Sequence, residues 1–273
     1  MKILALDTAE KSCSIAIVED QVPMCEEFYL SRQTHSRTLM DMVVHMVEKR
    51  AGLTIHDMDG FVVACGPGSF TGLRIGISVV KGLAYAISKP SAGISSLDGI
   101  GCQFSYASVP VCVMMDAKRG EVYSAVYNFV NGRLIQKSKE FVISPEQAVG
   151  IATKNLSSSY SEQAVGIVPD SFSSAVPRTE YIPTLQAKYI DAPKCVLFAG
   201  SGAVAYRHMI QDIMGDTALF VPLFQNFVSA SALAYVLFED TSLLSMSPDA
   251  VTPVYLRKSD AEINYQHQRQ CFC

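Results

Sequence analysis

Apolar positions fall first into short runs and only then into helical arcs. "KILALD" at residues 2–7 is an apolar run with a polar stop, followed by "CSIAIV" at 13–18 and "CEEFYL" at 25–30. Short polar breaks between them predict an antiparallel meander whose first strand carries Asp7 and Thr8 at its turn. Residues 36–50 switch to a helical period, with Ser36 as the expected N-cap. "GFVVAC" (60–65) predicts a fourth strand, "CGPGSFTGLRIG" a glycine turn, and 73–87 a second helix; "PSAGI" and "SSLDGIGCQF" read as strand then helix. After residues 105–110 the pattern restarts. "VPVCVMMDA" is a strand, "EVYSAVYNFV" its partner across a turn at 118–120, and "RLIQKSKEFVI" a third. A helix from Pro145, a strand near 165–169 and the strand–glycine–helix unit "CVLFAGSGAVAYRHMI" complete the second half. Residues 170–194, rich in Ser and Pro, read as a surface excursion.

The order is meander, helix, strand, helix, and then the same again. One α/β plan used twice predicts two similar lobes with a cleft between them. The repeat is one of pattern only, since no sequence self-similarity recurs at a fixed period.

Both helices of the first half carry more apolar surface than one core can cover. At about 100° per residue, Leu39, Met40, Met42, Val43, Val44, Met46 and Val47 spread over roughly 200°. In 73–87 only Arg74, Ser78, Lys81 and Tyr85 are polar or part-polar, and Gly76, Gly82, Ala84 and Ala86 allow close helix approach. Such helices predict either a partner protein over the surplus face or burial inside a larger single fold. The expected partner contacts are Leu39, Met42, Val43, Met46, Ile75, Val79 and Leu83. Methionines suit such a face because a flexible thioether fills irregular gaps.

Composition narrows the function classes. The 273 residues carry 22 Lys plus Arg against 26 Asp plus Glu, a net charge of −4, which argues against a chain that grips nucleic acid unaided. Asp7 interrupts the only N-terminal apolar run, so no secretion signal is expected, and no stretch of about 18 apolar residues is read as a bilayer span. The eight cysteines include six scattered singly, at Cys13, Cys25, Cys65, Cys102, Cys112 and Cys195, where a reduced thiol behaves as a small hydrophobe. Cys271 and Cys273 form one C-x-C with no second pair. The five histidines, His35, His45, His56, His208 and His267, make no paired metal motif, so no metal is expected.

The glycine turn is the first candidate site, through Gly66, Gly68, Thr71, Gly72 and Arg74. It lacks the Lys-Ser/Thr that follows a P-loop glycine and misses the dinucleotide G-x-G-x-x-G spacing by one residue. A strand, a glycine turn and a helix N-terminus remain, which suits either a phosphate or a tight turn capped by Thr71. "DAKRGEVY" concentrates Asp116, Lys118, Arg119 and Glu121 at a hairpin, readable as a phosphate contact or as a solvated tip.

Taken together, "ILALDTA", "CSIAI", "HSRTLM", "GPGSFTGLRIG", "KGLA", "SSLDGI", "DAKRGEVY" and "PVYLR" resemble, in order and spacing, the bacterial TsaB (YeaZ-like) proteins. The resemblance implies an α/β, duplicated actin/Hsp70/sugar-kinase-type fold of two lobes. These would be 1–107 with 227–273, carrying the partner-binding helices, and 108–226. It implies a non-catalytic scaffold or activating subunit in threonylcarbamoyl transfer to the tRNA adenosine next to the anticodon. The implied partners are a TsaD-type catalytic subunit and a TsaE-type ATPase, with tRNA met only through the complex and a homodimer when the partner is absent. It further implies a cytoplasmic protein with no membrane contact and no cofactor in the isolated chain, and allows ATP or ADP in the assembled complex. The catalytic relative carries a histidine pair after the second helix, where this chain has "SSLDGIGCQF". At the first hairpin, Ala9, Glu10 and Lys11 fill the space in which a nucleotide-binding turn of this fold places glycine. Two other readings stay open: an ATP- and metal-dependent carbamoyltransferase or glycoprotease-like enzyme, and a small-molecule kinase with Asp7 or Asp116 as its cleft acid.

Overall fold

The computed structural model describes residues 1–30, 38–158, 195–247 and 250–257, without the side chains of 155–158. The expected strand near 165–169, the 170–194 excursion, His35, Ser36, His267 and the Cys271/Cys273 pair lie outside these residues.

Two sheets repeat one plan. In the first, β1 (Lys2–Asp7) pairs antiparallel with β2 (Ser12–Glu19), which pairs antiparallel with β3 (Val22–Leu30). On its other side β1 runs parallel to β4 (Gly60–Gly66), and β4 to β5 (Ser91–Ser95), giving the order β3-β2-β1-β4-β5. In the second, β6 (Val111–Lys118) and β7 (Glu121–Val130) form a hairpin, and β7 also pairs with β8 (Arg133–Lys137) and β9 (Phe141–Ile143). β6 runs parallel to β10 (Val196–Ala199), and β10 to β11 (Ala218–Phe220), so the order mirrors the first. The duplicated α/β plan is therefore written into the strand pairing. The segment "RLIQKSKEFVI" forms two short strands rather than one, because ten-residue β7 offers each a different stretch of edge.

Alternation along β6 assigns its side chains to two cores. Val111, Val113 and Met115 point into a large core shared by both sheets, while Cys112 and Met114 join a smaller one on the far face of the second sheet. The smaller core is closed by α4 (Pro145–Ser158), α5 (Ser201–Ala205) and α6 (Arg207–Met214). Between the sheets lie α3 (Ser96–Gly101) and α7 (Ala230–Glu239). α7 and β11 have no counterpart in the sequence reading. α7 crosses back to β1, β2 and β3, where the carboxylate of Glu26 on β3 accepts from the Ser229 and Ser231 hydroxyls at 2.7 and 2.6 Å.

α1 (Leu39–Val44) and α2 (Phe70–Ile87) cover the outer face of the first sheet. The helix expected over 36–50 continues past α1 as a π-helix, His45–Arg50, so a wheel drawn at 100° misplaces its side chains. Ser69, not Thr71, caps α2: its hydroxyl accepts from the Gly72 N–H at 3.3 Å. α2 also corrects the expectation of no span-length apolar stretch. At 18 residues and a mean hydropathy of 1.3 it is long and apolar enough by length and composition, although it packs here on β4 and β1.

Candidate functional site

The β1–β2 turn, the glycine turn after β4, the β6–β7 hairpin and the turn after β10 meet where the two halves join. The glycine turn rides directly on the first of these. A Cβ at Gly68 would strike the Ala9 carbonyl, one at Gly72 the Thr8 carbonyl, and one at Gly76 the Thr8 hydroxyl. In their absence the Ser69 N–H donates to the Ala9 carbonyl at 2.6 Å and the Thr8 hydroxyl to the Gly72 carbonyl at 2.7 Å. Gly66, at φ +119, lies against the carbonyl of Val254 from the C-terminal segment. These glycines permit backbone-on-backbone contact, which leaves them no open cradle.

Of the other candidates, Thr71 is solvent-exposed. Arg74 lies 3.8 Å from the centroid of the Phe70 ring and donates through Nε to the Tyr255 hydroxyl at 3.0 Å. Arg119 is exposed in the hairpin turn at φ 57, between Lys118 and Gly120, which also have positive φ. Asp116 is half-buried and bridged by the Lys118 ammonium; its Oδ1 accepts the Lys118 N–H at 2.8 Å. Burial works to raise this carboxyl, but the Lys118 contacts outweigh it and hold it below the usual range.

What the structure brings together across this junction is a set the sequence reading only partly held. The Ser201 hydroxyl donates to Glu10 Oε1 at 2.5 Å and accepts the Asp116 N–H at 3.0 Å, joining the first hairpin to the second. Burial raises the Glu10 carboxyl, the Ser201 bond opposes that, and the Asp116 charge adds to it. Asp7 is wholly buried. Its Oδ1 accepts the Ala9 N–H at 3.0 Å, but among the described residues Oδ2 has no partner, nor has the Ser12 hydroxyl on the next strand. Burial pushes the Asp7 carboxyl up to about 8, with Glu10 adding to the shift. Glu10 and Ser201 are 191 residues apart, so no local pattern announces their meeting. Among the described residues no group of three or more His, Cys, Asp or Glu stands together as a metal site would require.

The expected partner-contact residues divide. Leu39, Val43 and Met46 are corrected to core positions, each at most 2% exposed. The π-helical turn from His45 carries Met46 and Val47 inward, so the sequence wheel chose the wrong arc there. Met42, Ile75, Val79 and Leu83 are half-buried at the outer surface of the first half. Met40, Val44 and Tyr85 are exposed on the same two helices and were not singled out.

Residues 29–265 match the family described as "TsaD: tRNA N6-adenosine threonylcarbamoyltransferase". The chain is 27% identical over 265 residues to the tRNA threonylcarbamoyladenosine biosynthesis protein TsaB of Bacillus subtilis, covering 97% of this chain and 98% of that one. It is 35% identical over 149 residues to the Escherichia coli protein of the same name, covering 54% and 64%. Among solved structures, YeaZ from Pseudomonas aeruginosa superposes with a TM-score of 0.65 at 24% identity, covering 93% of this chain and 99% of that one. At that identity the last likeness speaks for the fold.

Proposed function

The chain belongs to the TsaD (tRNA N6-adenosine threonylcarbamoyltransferase) family and is TsaB- and YeaZ-like, and on that footing we propose that it serves tRNA threonylcarbamoyladenosine biosynthesis as a non-catalytic subunit. Its partner is a TsaD-type catalytic subunit, assisted by a TsaE-type ATPase, and tRNA is met through the complex in the cytoplasm. The observation that carries the reading is the Glu10 carboxylate, buried at the β1–β2 turn and bonded to Ser201. It sets a buried, hydrogen-bonded carboxyl where a nucleotide phosphate would have to approach, and a phosphate could enter only by displacing that group and breaking its bond to Ser201. Nucleotide, ATP or ADP, is left to the assembled complex.

The outer face of α1 and α2, through Met42, Ile75, Val79 and Leu83, is the surface we assign to the partner, and to a second copy when the partner is absent. The test combines the purified chain, a TsaD-type subunit, a TsaE-type ATPase, a threonylcarbamoyl donor and tRNA, with modified adenosine quantified by mass spectrometry. Product should form only when the TsaD-type subunit is present and should depend on this chain. ATP hydrolysis, peptide cleavage or threonylcarbamoyl transfer by the chain alone, lost in Asp7→Ala, would overturn the proposal.

A further inference from the structure

The segment 251–257, which contains the "PVYLR" sequence, runs from the core of the first half to the hairpin of the second. Val251 is fully buried in the large core. The Val254 N–H donates to the Cys65 carbonyl at 2.7 Å, at the end of β4, and the missing side chain of Gly66 makes room for the Val254 carbonyl. The Tyr255 ring stacks on Phe70 with centroids 4.9 Å apart, while its hydroxyl accepts from Arg74. Two residues on, Arg257 Nη1 meets Glu121 Oε2 at 3.2 Å, at the first residue of β7.

The opposite side of the shared core is fastened differently. There Asp98 of α3 accepts the Tyr127 hydroxyl at 2.8 Å and lies 2.6 Å from the Lys137 ammonium. Lys137 also bridges Glu140 at 2.9 Å, and Glu140 accepts from the Ser95 hydroxyl at 2.5 Å. Gly101 lets the Tyr127 ring press on the α3 backbone: a Cβ there would stand 3.1 Å from the ring. This side is a network of five side chains, the buried Tyr127 among them, so no single contact carries it. On the other side, besides the Ser201 contacts with Glu10 and Asp116, the described residues hold the segment 251–257 to the hairpin by one part-exposed ion pair, a type of contact that contributes little to stability.

We propose that residues 251–257 are a latch on this joint, anchored in the first half and clipped reversibly to the second by the Arg257–Glu121 pair. The latch sets how far the hairpin 116–121 stands from the glycine turn, and so how much solvent reaches the Glu10–Ser201 contact behind it. The anchored end is buried and backbone-bonded, so release happens at Arg257 while Val251 stays in place. The inference is independent of whether the chain turns over any substrate.

Hydrogen exchange read by mass spectrometry on the full chain tests it. Arg257→Glu should speed exchange of the 116–121 hairpin amides by roughly two- to fivefold, the range that loss of an exposed pair allows. Amides of β1 should be unchanged. The double variant Arg257→Glu with Glu121→Arg should restore the original rates, and added salt should speed the hairpin of the wild-type chain by screening the pair. Unchanged hairpin exchange in Arg257→Glu overturns the latch. So does an equal rise throughout β1, which would make the pair a general stabiliser, and so does a double variant that stays fast.

Discussion

The two halves place the same parts at the ends of their central strands and give them opposite chemistry. Asp7 closes β1, fully buried with an oxygen unpartnered among the described residues and a carboxyl pushed to about 8, whereas Asp116, near the end of β6, is held below the usual range by Lys118. A glycine turn follows the next parallel strand in each half, and each lies on backbone: Gly72 on Thr8, Gly200 and Gly202 on Met114. After the first turn comes one continuous apolar helix of 18 residues. After the second the helix breaks at Tyr206 and exposes Arg207, His208, Gln211 and Asp212. The same scaffold thus tolerates a polar outer helix. On α2 the outward side carries half-buried Ile75, Val79 and Leu83 beside exposed Phe70 and Tyr85, whereas α6 shows Ile213 among polar residues.

Charge insertion should give the largest contrast. Met46→Glu places an unpaired carboxylate in the core, at a cost of several kcal/mol, and the chain should lose its circular dichroism signal and solubility. Val79→Glu should stay folded and lose the TsaD-type partner in a pull-down, whereas Ile213→Glu, exposed on α6, should stay folded and bind normally. Equal binding by the last two would erase the distinction between the halves.

Gly72→Ala comes next. Its methyl must displace the Thr8 carbonyl, a rigid backbone atom, so urea unfolding should show a loss of about 3 kcal/mol. Gly202→Ala, with 2.9 Å to the Met114 carbonyl, should lose less.

The acids should differ in sign. Asp7 in the folded chain titrates at about 8, against about 3.9 for an unfolded aspartate, so folding holds a proton across that window. Its contribution to stability therefore falls as pH rises from about 4 to 8. Asp7→Asn keeps the acceptor for Ala9 and supplies a neutral group in place of Oδ2. Thermal unfolding should then show a flatter pH profile and a chain more stable than wild type at pH 8. Asp116 has a depressed pKa, so its contribution is present above the ordinary carboxyl range and fades on acidification. Asp116→Asn should lower stability at neutral pH by under about 1 kcal/mol, as suits a part-exposed pair. The smallest effect is Gly82→Ala, an exposed position in α2 with open space at its Cβ, which should gain about 0.5–1 kcal/mol.

Much of this was legible in the chain because the relevant forces are local. The strand runs, the hairpin turn at 118–120 and both glycine turns follow from apolar alternation and positive-φ positions. The inward side of the first helix was not, because a π-turn changes the angle per residue and no sequence wheel shows which arc meets the sheet. Ser69 took the cap from Thr71 because the bend out of extended backbone falls at Ser69, with ψ 122. The acids at this junction were named, but Ser201 joining Glu10 to Asp116 is a contact between halves, set by how the two sheets dock on α3 and α7.

The late return of α7 has a consequence for synthesis. β1 and β2 are complete by Glu19, yet the helix that covers their inner face begins at Ala230. At translation speeds of roughly 5–20 residues per second, that face waits on the order of 10 s or more for its cover. A nascent chain stalled in this interval displays an apolar sheet surface beside the ribosome, where chaperones or aggregation compete for it. The first half to be made is therefore among the last to be sealed.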